Sequence, residues 1–371
     1  MLSPKSTKYL LICLGAGILC LFAWKICQPV DSTDTSDFRA SQITPRVKAP
    51  VEDRFDSIYK RIRSSTNRND SISSLKELQD MLKSMPPEEA VAWIRAFLAK
   101  GDDKPTGLSF IIAKGGSLEE WPTFRTFLID ALYSIDPAAA AAISREILAT
   151  PTSADEWALA LRNVGKSELT AENSDYLIAK TEELILNKEW QENPSIGYLN
   201  AFDVLVATNA TTSTPLISDL IQRKDRKDLA HAGFLTLDRL VQRQPVEMLE
   251  QLSNDGDLQQ SRPEMVSQQF ARADIRDETQ REILKTWMLD PTRTPAELRS
   301  FSGVYPNNNK FISNNLLTTE SGQSGVELNA HDRAALEIIT SWANEPEFQP
   351  VNEYLLTMIR RLDGFVNSSG Q

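Results

Sequence analysis

Residues Asp130–Leu148 read DALYSIDPAAAAAISREIL. A run that ends in Asp-Ala-Leu and a short polar turn is followed by Pro137 and an alanine-rich stretch. Proline fixes φ and lacks an N–H, which suits the first position of a helix and no interior one. The stretch therefore predicts a helix, a tight turn and a proline-started helix: one helical hairpin. The same arrangement occurs at Asp80-Met-Leu82 before Pro87 and at Asp238-Arg-Leu240 before Pro245. The sequences after those prolines, EEAVAWIRAFL and VEMLEQL, are also helical in pattern. The three copies suggest a period of about 50 residues with one degenerate copy between the second and third. Asp203-Val-Leu205 marks that copy, without a proline at the matching place.

Helical signals extend in both directions. Leu75, Leu78, Met81, Leu82 and Met85 form one apolar stripe over Ser71–Met85, the period of an amphipathic helix. A second helix starts at Pro86-Pro87 and ends at Lys100-Gly101-Asp102. Ser117/Glu120, Ser153/Glu156 and Thr294/Glu297 match the capping box, in which a hydroxyl and a carboxylate close the free backbone N–H groups of a helix start. Strand signals are scarce: Val204–Thr208 continues the helical-looking Ile196–Leu205. Pro306–Asn315 and Thr318–Asn329 are polar and turn-rich, and predict a long surface loop before two last helices, Ala330–Asn344 and Val351–Leu362.

Over about Ile72–Leu252 this hairpin pattern resembles the HEAT-type α-solenoids, whose repeats are stacked helix pairs. The tetratricopeptide signature is absent. The resemblance implies a binding scaffold with an extended concave surface and brings no catalytic residues with it. An irregular all-α globule is the competing expectation.

The start of the chain is of another kind. Tyr9–Trp24 (YLLICLGAGILCLFAW) is sixteen residues without a charge, and Ile26 and Cys27 extend it past Lys25. That length is just sufficient to span a bilayer if Lys25 snorkels, with Tyr9 and Trp24 at the two headgroup levels. A cleaved signal peptide would share the basic and apolar regions, but its small–x–small cleavage site is missing. Lys5, Lys8 and the amino terminus precede the segment, and Asp31, Asp34 and Asp37 follow it, which favours a cytoplasmic N-terminus and a periplasmic or luminal body. The expected organisation is a cytoplasmic tip and transmembrane helix over 1–27, a flexible Ser/Thr/Asp/Pro-rich linker over 28–51, and an all-α, solenoid-like domain over 52–371.

Cys13, Cys20 and Cys27 are the three cysteines, seven residues apart and near one helix face. They suit a hydrophobic helix, with self-association through that face as the functional alternative. The remainder has no thiol for a disulfide, a zinc site or a nucleophile. The sequons at Asn69, Asn209 and Asn367 matter only in a secretory pathway that glycosylates.

Charge narrows the partners. Residues 1–63 hold ten Lys/Arg and six Asp/Glu, whereas residues 64–371 hold 30 and 45. So acidic a body does not fit nucleic acid, which needs clustered cations. The basic segment Arg54–Arg63 (RFDSIYKRIR) carries Phe55, Ile58, Tyr59 and Ile62 on one face. It is read as the first helix of the domain, with a membrane-surface helix as the alternative.

No catalytic motif is complete in the sequence. Gly165-Lys166-Ser167 ends like a phosphate loop, but Ala160 replaces the required first glycine and a helix precedes it, so Gly165 is expected to stop that helix. Gly322-Gln-Ser324-Gly325 has Val326 where a nucleophile elbow needs glycine. His231 and His331 are a hundred residues apart, too few for a metal site. The acidic pairs Glu88/Glu89, Glu119/Glu120 and Glu182/Glu183 read as solvated faces, and Trp93, Trp121, Trp157, Trp190, Trp287 and Trp342 as packing residues. No catalytic, cofactor-binding or metal residue is assigned. The expectation is a membrane-anchored helical scaffold that binds another protein on the non-cytoplasmic side. The alternative is an all-α envelope hydrolase using two carboxylates distant in sequence.

Overall fold

The computed structural model describes residues 50–65 and 67–368. The expected anchor, its three cysteines and nearly all of the linker lie outside these residues. Among the described residues, no helix is long and apolar enough to cross a membrane.

The body is all-α, with 73% helix and 3% strand. Helices α1 (Pro50–Ser64), α2 (Arg68–Ser84) and α3 (Pro87–Ala99) lead into a small hairpin of β1 (Ile111–Ile112) and β2 (Leu118–Glu120). Next come α4 (Phe124–Ile135), α5 (Pro137–Ile147), α6 (Ala154–Glu168), α7 (Ala171–Leu186) and the short α8 (Lys188–Glu192). They are followed by α9 (Ile196–Ala201), α10 (Asp203–Ala207), α11 (Thr214–Gln222), α12 (Lys227–Arg243) and α13 (Pro245–Asn254). The last are α14 (Gly256–Ser261), α15 (Pro263–Phe270), α16 (Glu278–Leu289), α17 (Pro295–Val304), α18 (Gly325–Ala343) and α19 (Asn352–Ser368).

Pro87, Pro137 and Pro245 all start helices, as their missing N–H dictates. The helices form two rows. In the first, α4 packs on α6, α6 on α9 and α10, and those on α12. In the second, α13 packs on α16, and α11 touches α14. Crossings α11·α12 and α12·α13 join the rows, α5 packs on α4 and α6, and one continuous apolar core runs from Phe55 to Leu362. The bonds that tie one part of this array to the next span fewer residues than the fifty-residue offset read from the sequence. Side-chain bonds from one pair to the next span 31 residues at Arg125–Glu156, 34 at Arg272–Asp238 and 36 at Arg239–Asp203. The fifty-residue offset between the first two Asp-x-Leu copies includes the β-hairpin segment between α3 and α4.

The basic helix α1 belongs to this core. Phe55, Ile58 and Ile62 are buried, Phe55 stacks on Trp93 at 3.8 Å, and Tyr59 meets Phe97 and Phe124 at 5.2 and 4.8 Å. Its apolar face is therefore spent on protein rather than on a lipid surface.

Two of the three capping readings hold. Ser153 caps α6, and Thr294 with Glu297 forms a full box on α17. Ser117/Glu120 does not cap a helix. Gly115 and Gly116, at φ of +82° and +80°, turn the chain into β2 instead. Glu120 is then buried and accepts from Arg68 and, at 3.3 Å, from the Ser109 N–H. Of the acidic pairs read as solvated, this member departs. Gly165 also departs from its expected role, because α6 runs on through it to Glu168. A Cβ there would lie 2.6 Å from Leu317 Cδ1, so the glycine makes room for a distant segment.

Candidate functional site

That distant segment is the stretch 305–324, which takes in most of the surface loop expected over 306–315 and 318–329. It is a loop, exposed over 311–314 and 321–324, whose middle is laid as a strap across the first row of helices. Asn315, Leu316 and Thr318 are buried. The clasps that hold it are the aspartates of the Asp-x-Leu pattern. Asp203, at the start of α10, accepts from the Leu317 and Thr318 N–H groups at 2.6 and 3.0 Å and from the Thr318 hydroxyl at 2.5 Å. Arg239 of α12 neutralises it at 2.5 Å and reaches Glu320 of the strap at 3.3 Å. Asp238, only 1% exposed, takes both ends of Arg272 at 2.6 and 2.9 Å. The remaining nitrogen of Arg272 donates to the carbonyls of Asn307 and Asn309 at 3.1 and 2.8 Å.

Asp130 does the same for the β-hairpin. It accepts from Trp121 Nε1 at 2.7 Å and the Leu118 N–H at 3.2 Å, and it pairs with the fully buried Arg162. Arg162 in turn donates to the Gly116 carbonyl at 2.9 Å. Buried charges persist only when paired and hydrogen-bonded, and each of these is. Asp80, the first copy of the pattern, is exposed and clasps nothing among the described residues. Strap and hairpin also meet: Asn314 donates to the Ile112 carbonyl at 3.2 Å.

The close approach of strap to hairpin makes a prediction at Gly116. A Cβ there would overlap the Leu316 carbonyl, whereas one at Gly115 meets nothing within 4 Å, and both residues hold positive φ. Gly115→Ala is expected to cost about 1 kcal/mol from backbone strain alone, and Gly116→Ala about 2–3 kcal/mol because the strap must also move. Equal chemical-denaturation midpoints for the two variants would contradict this placement of the strap.

Among the described residues, the second row of helices carries no strap. Between α11, α13 and α14 lies an open cleft of about 650 Å³ lined by Asp219, Glu247, Glu250, Asp255 and Asp257. A neighbouring cleft of about 580 Å³ shares Glu250 and Asn254 with it and adds Glu278 and Glu282 of α16. No lysine or arginine lines either cleft, and none of the seven acids is ion-paired among the described residues. Glu247 accepts from Thr211 Oγ1, and Asp255 from Ser218 Oγ, both at 2.6 Å. The two clefts make one acid-lined groove along the row.

The other residues singled out in the sequence do not assemble. Lys166 donates to the Gly115 carbonyl and Ser167 to the Pro137 carbonyl at 2.9 Å, so the phosphate-loop lookalike ties α6 to its neighbours. Burial, with Arg162 nearby, brings Lys166 down to about 8. Ser324 caps α18 in a box with Glu327, so the expected loop ends five residues before Ala330. His331 faces Asp274 instead of Ser324, and His231 is exposed on α12. The described tryptophans are packing residues: Trp157 against Trp190, Trp287 against Phe270 and Trp342 against Phe348. None lines the acidic groove, so carboxylates and indoles do not converge there as a sugar site would require. Among the described residues, no group of three or more His, Cys, Asp or Glu is placed to hold a metal ion.

No protein-family model, no curated protein and no solved structure matches this chain.

Proposed function

We propose that this chain is a membrane-tethered, HEAT-like helical scaffold, and that it binds another protein through the acid-lined groove of α11, α13, α14 and α16. The observation that carries this reading is the contrast between the two rows. The first row is crossed by the chain's own strap, while the second presents seven acids in two adjoining clefts, none in an ion pair among the described residues. A carboxylate face of this kind steers and selects a basic partner surface. Both clefts are open, and among the described residues no histidine, cysteine or indole lines them, which supports binding better than hydrolysis. The tether would be residues 9–27 with the linker to 51 as a flexible spacer, raising the local concentration of the body beside the membrane.

Two measurements test the two halves. Alkaline extraction of membranes is expected to leave the full chain with the lipid and to release a chain lacking residues 1–27. Protease added outside is expected to digest the body and spare the N-terminal tip. Release of the full chain by alkali would end the tether reading. For the groove, the triple change Asp219→Lys, Glu250→Lys, Glu282→Lys is expected to weaken capture of the membrane partner at least about tenfold, and salt to weaken the unchanged chain likewise. Capture indifferent to both would end the groove reading.

A further inference from the structure

A pocket of about 260 Å³ lies where the C-terminal end of α12, the α15–α16 connection, the strap and α18 come together. It shares no residue with the acidic groove. The one carboxylate in its lining, Asp274, is already engaged. Asp274 accepts from the backbone and Nε of Arg276 at 3.0 and 2.9 Å and from its Nη2 at 2.6 Å, and it faces His331 Nε2 at 3.4 Å. Arg272 is spent on Asp238 and the two strap carbonyls.

The donors are not used up. Arg276 keeps one terminal nitrogen, Nη1, outside its pairing with Asp274. Lys310 of the strap lines the pocket and makes no hydrogen bond or ion pair among the described residues, and the side-chain amide nitrogens of Gln280 and Gln323 make none either. A cavity whose single carboxylate is engaged, and whose free charged groups are a lysine and one nitrogen of an arginine with amide donors beside them, is complementary to an anion. We propose that this pocket binds a small oxyanion, held between Lys310 of the strap and Arg276 of the helical body. The relevant chemistry is that shared by a carboxylate and a tetrahedral oxyanion. Bound there, the anion bridges the strap to the α15–α16 connection.

His331 makes that binding sensitive to pH. Its ring is buried on α18, with Asp274 opposite Nε2, the Asn308 amide 3.4 Å and Asp332 4.0 Å from Nδ1, and the cations Arg276 and Lys310 across the pocket. Arg361 of α19 neighbours Asp332, and Glu327 in the first turn of α18 neighbours Arg276 and Lys310. Burial holds the imidazole below its ordinary value. It is therefore neutral at neutral pH and gains its charge on acidification, so the anion is held more tightly as pH falls.

The test is calorimetric titration of the full detergent-solubilised chain with sulfate and with acetate, against chloride at equal ionic strength. Saturable binding of either oxyanion is expected, weakened about tenfold or more by Lys310→Met and by Arg276→Gln, and largely restored by Lys310→Arg. Lys227→Met at the start of α12 should leave it unchanged. Sulfate binding should strengthen from neutral to mildly acidic pH, and His331→Gln should flatten that dependence while keeping binding. Sulfate preference would identify a tetrahedral ligand and acetate preference a carboxylate. No saturable binding above chloride, or binding that Lys310→Met leaves intact in a chain melting at the unchanged temperature, overturns the proposal.

Discussion

Replacing Asp130 with alanine is expected to destabilise the body by about 3–5 kcal/mol, the cost of stranding a buried charge. Its partner Arg162 is among the largest fully buried side chains, and no water-facing route lets the guanidinium recover its lost hydration. The same change orphans the Trp121 indole N–H and the Leu118 N–H, both of which donate to Asp130. Most of the penalty is the stranded cation, so Asp130→Leu with Arg162→Met should lose less than the sum of the two single changes, by about 1–3 kcal/mol. Urea denaturation of the four chains measures this directly. Additive losses would mean that Asp130 and Arg162 are not the coupled pair described.

The second large effect is expected at Asp203. Alanine there leaves the mostly buried Arg239 with only Glu320 of the strap as its carboxylate partner, and removes four donors' common acceptor at once. A loss of about 3–5 kcal/mol is again expected, with a signature that Asp130 does not share. The Leu317 and Thr318 amides should change from slow to fast hydrogen exchange while those of α12 stay slow, because the strap opens locally before the body unfolds. Asp203→Asn should fall between, since the amide oxygen still accepts but no longer neutralises Arg239. Strap amides that exchange at one rate in all three chains would contradict the clasp.

The unequal legibility of this fold has a physical origin. Proline-started helices could be read because the reason for Pro87, Pro137 and Pro245 is local: the first helical residue has no use for an N–H. The apolar stripe of α2 and the capping box at Thr294 are local in the same sense. The hairpin at Ser117 was misread because a Ser-x-x-Glu spacing does not reveal that Gly115-Gly116 already turns the chain. The aspartates of the Asp-x-Leu pattern stood out as a spacing, but their arginines lie 32 to 36 residues further on with no common motif around them. The strap was least accessible of all. Its polar composition resembles any loop, and its burial depends on Asp203, 114 residues from Leu317. The acidic groove was visible only as net charge, since six of its seven acids come from four helices and Asp255 from the turn between α13 and α14. Gly165 illustrates the same limit: a glycine near a helix end suggests a stop, and only the approach of Leu317 explains it.

The most direct test of the scaffold reading is site-specific photo-crosslinking in intact membranes, with the photoreactive residue placed at Ile283 in the groove and, separately, at Ile312 on the strap. One discrete adduct at Ile283, abolished when Asp219, Glu250 and Glu282 are changed to lysine and absent at Ile312, is the predicted result. No adduct at Ile283, or the same adduct from both positions regardless of the groove charges, would contradict it.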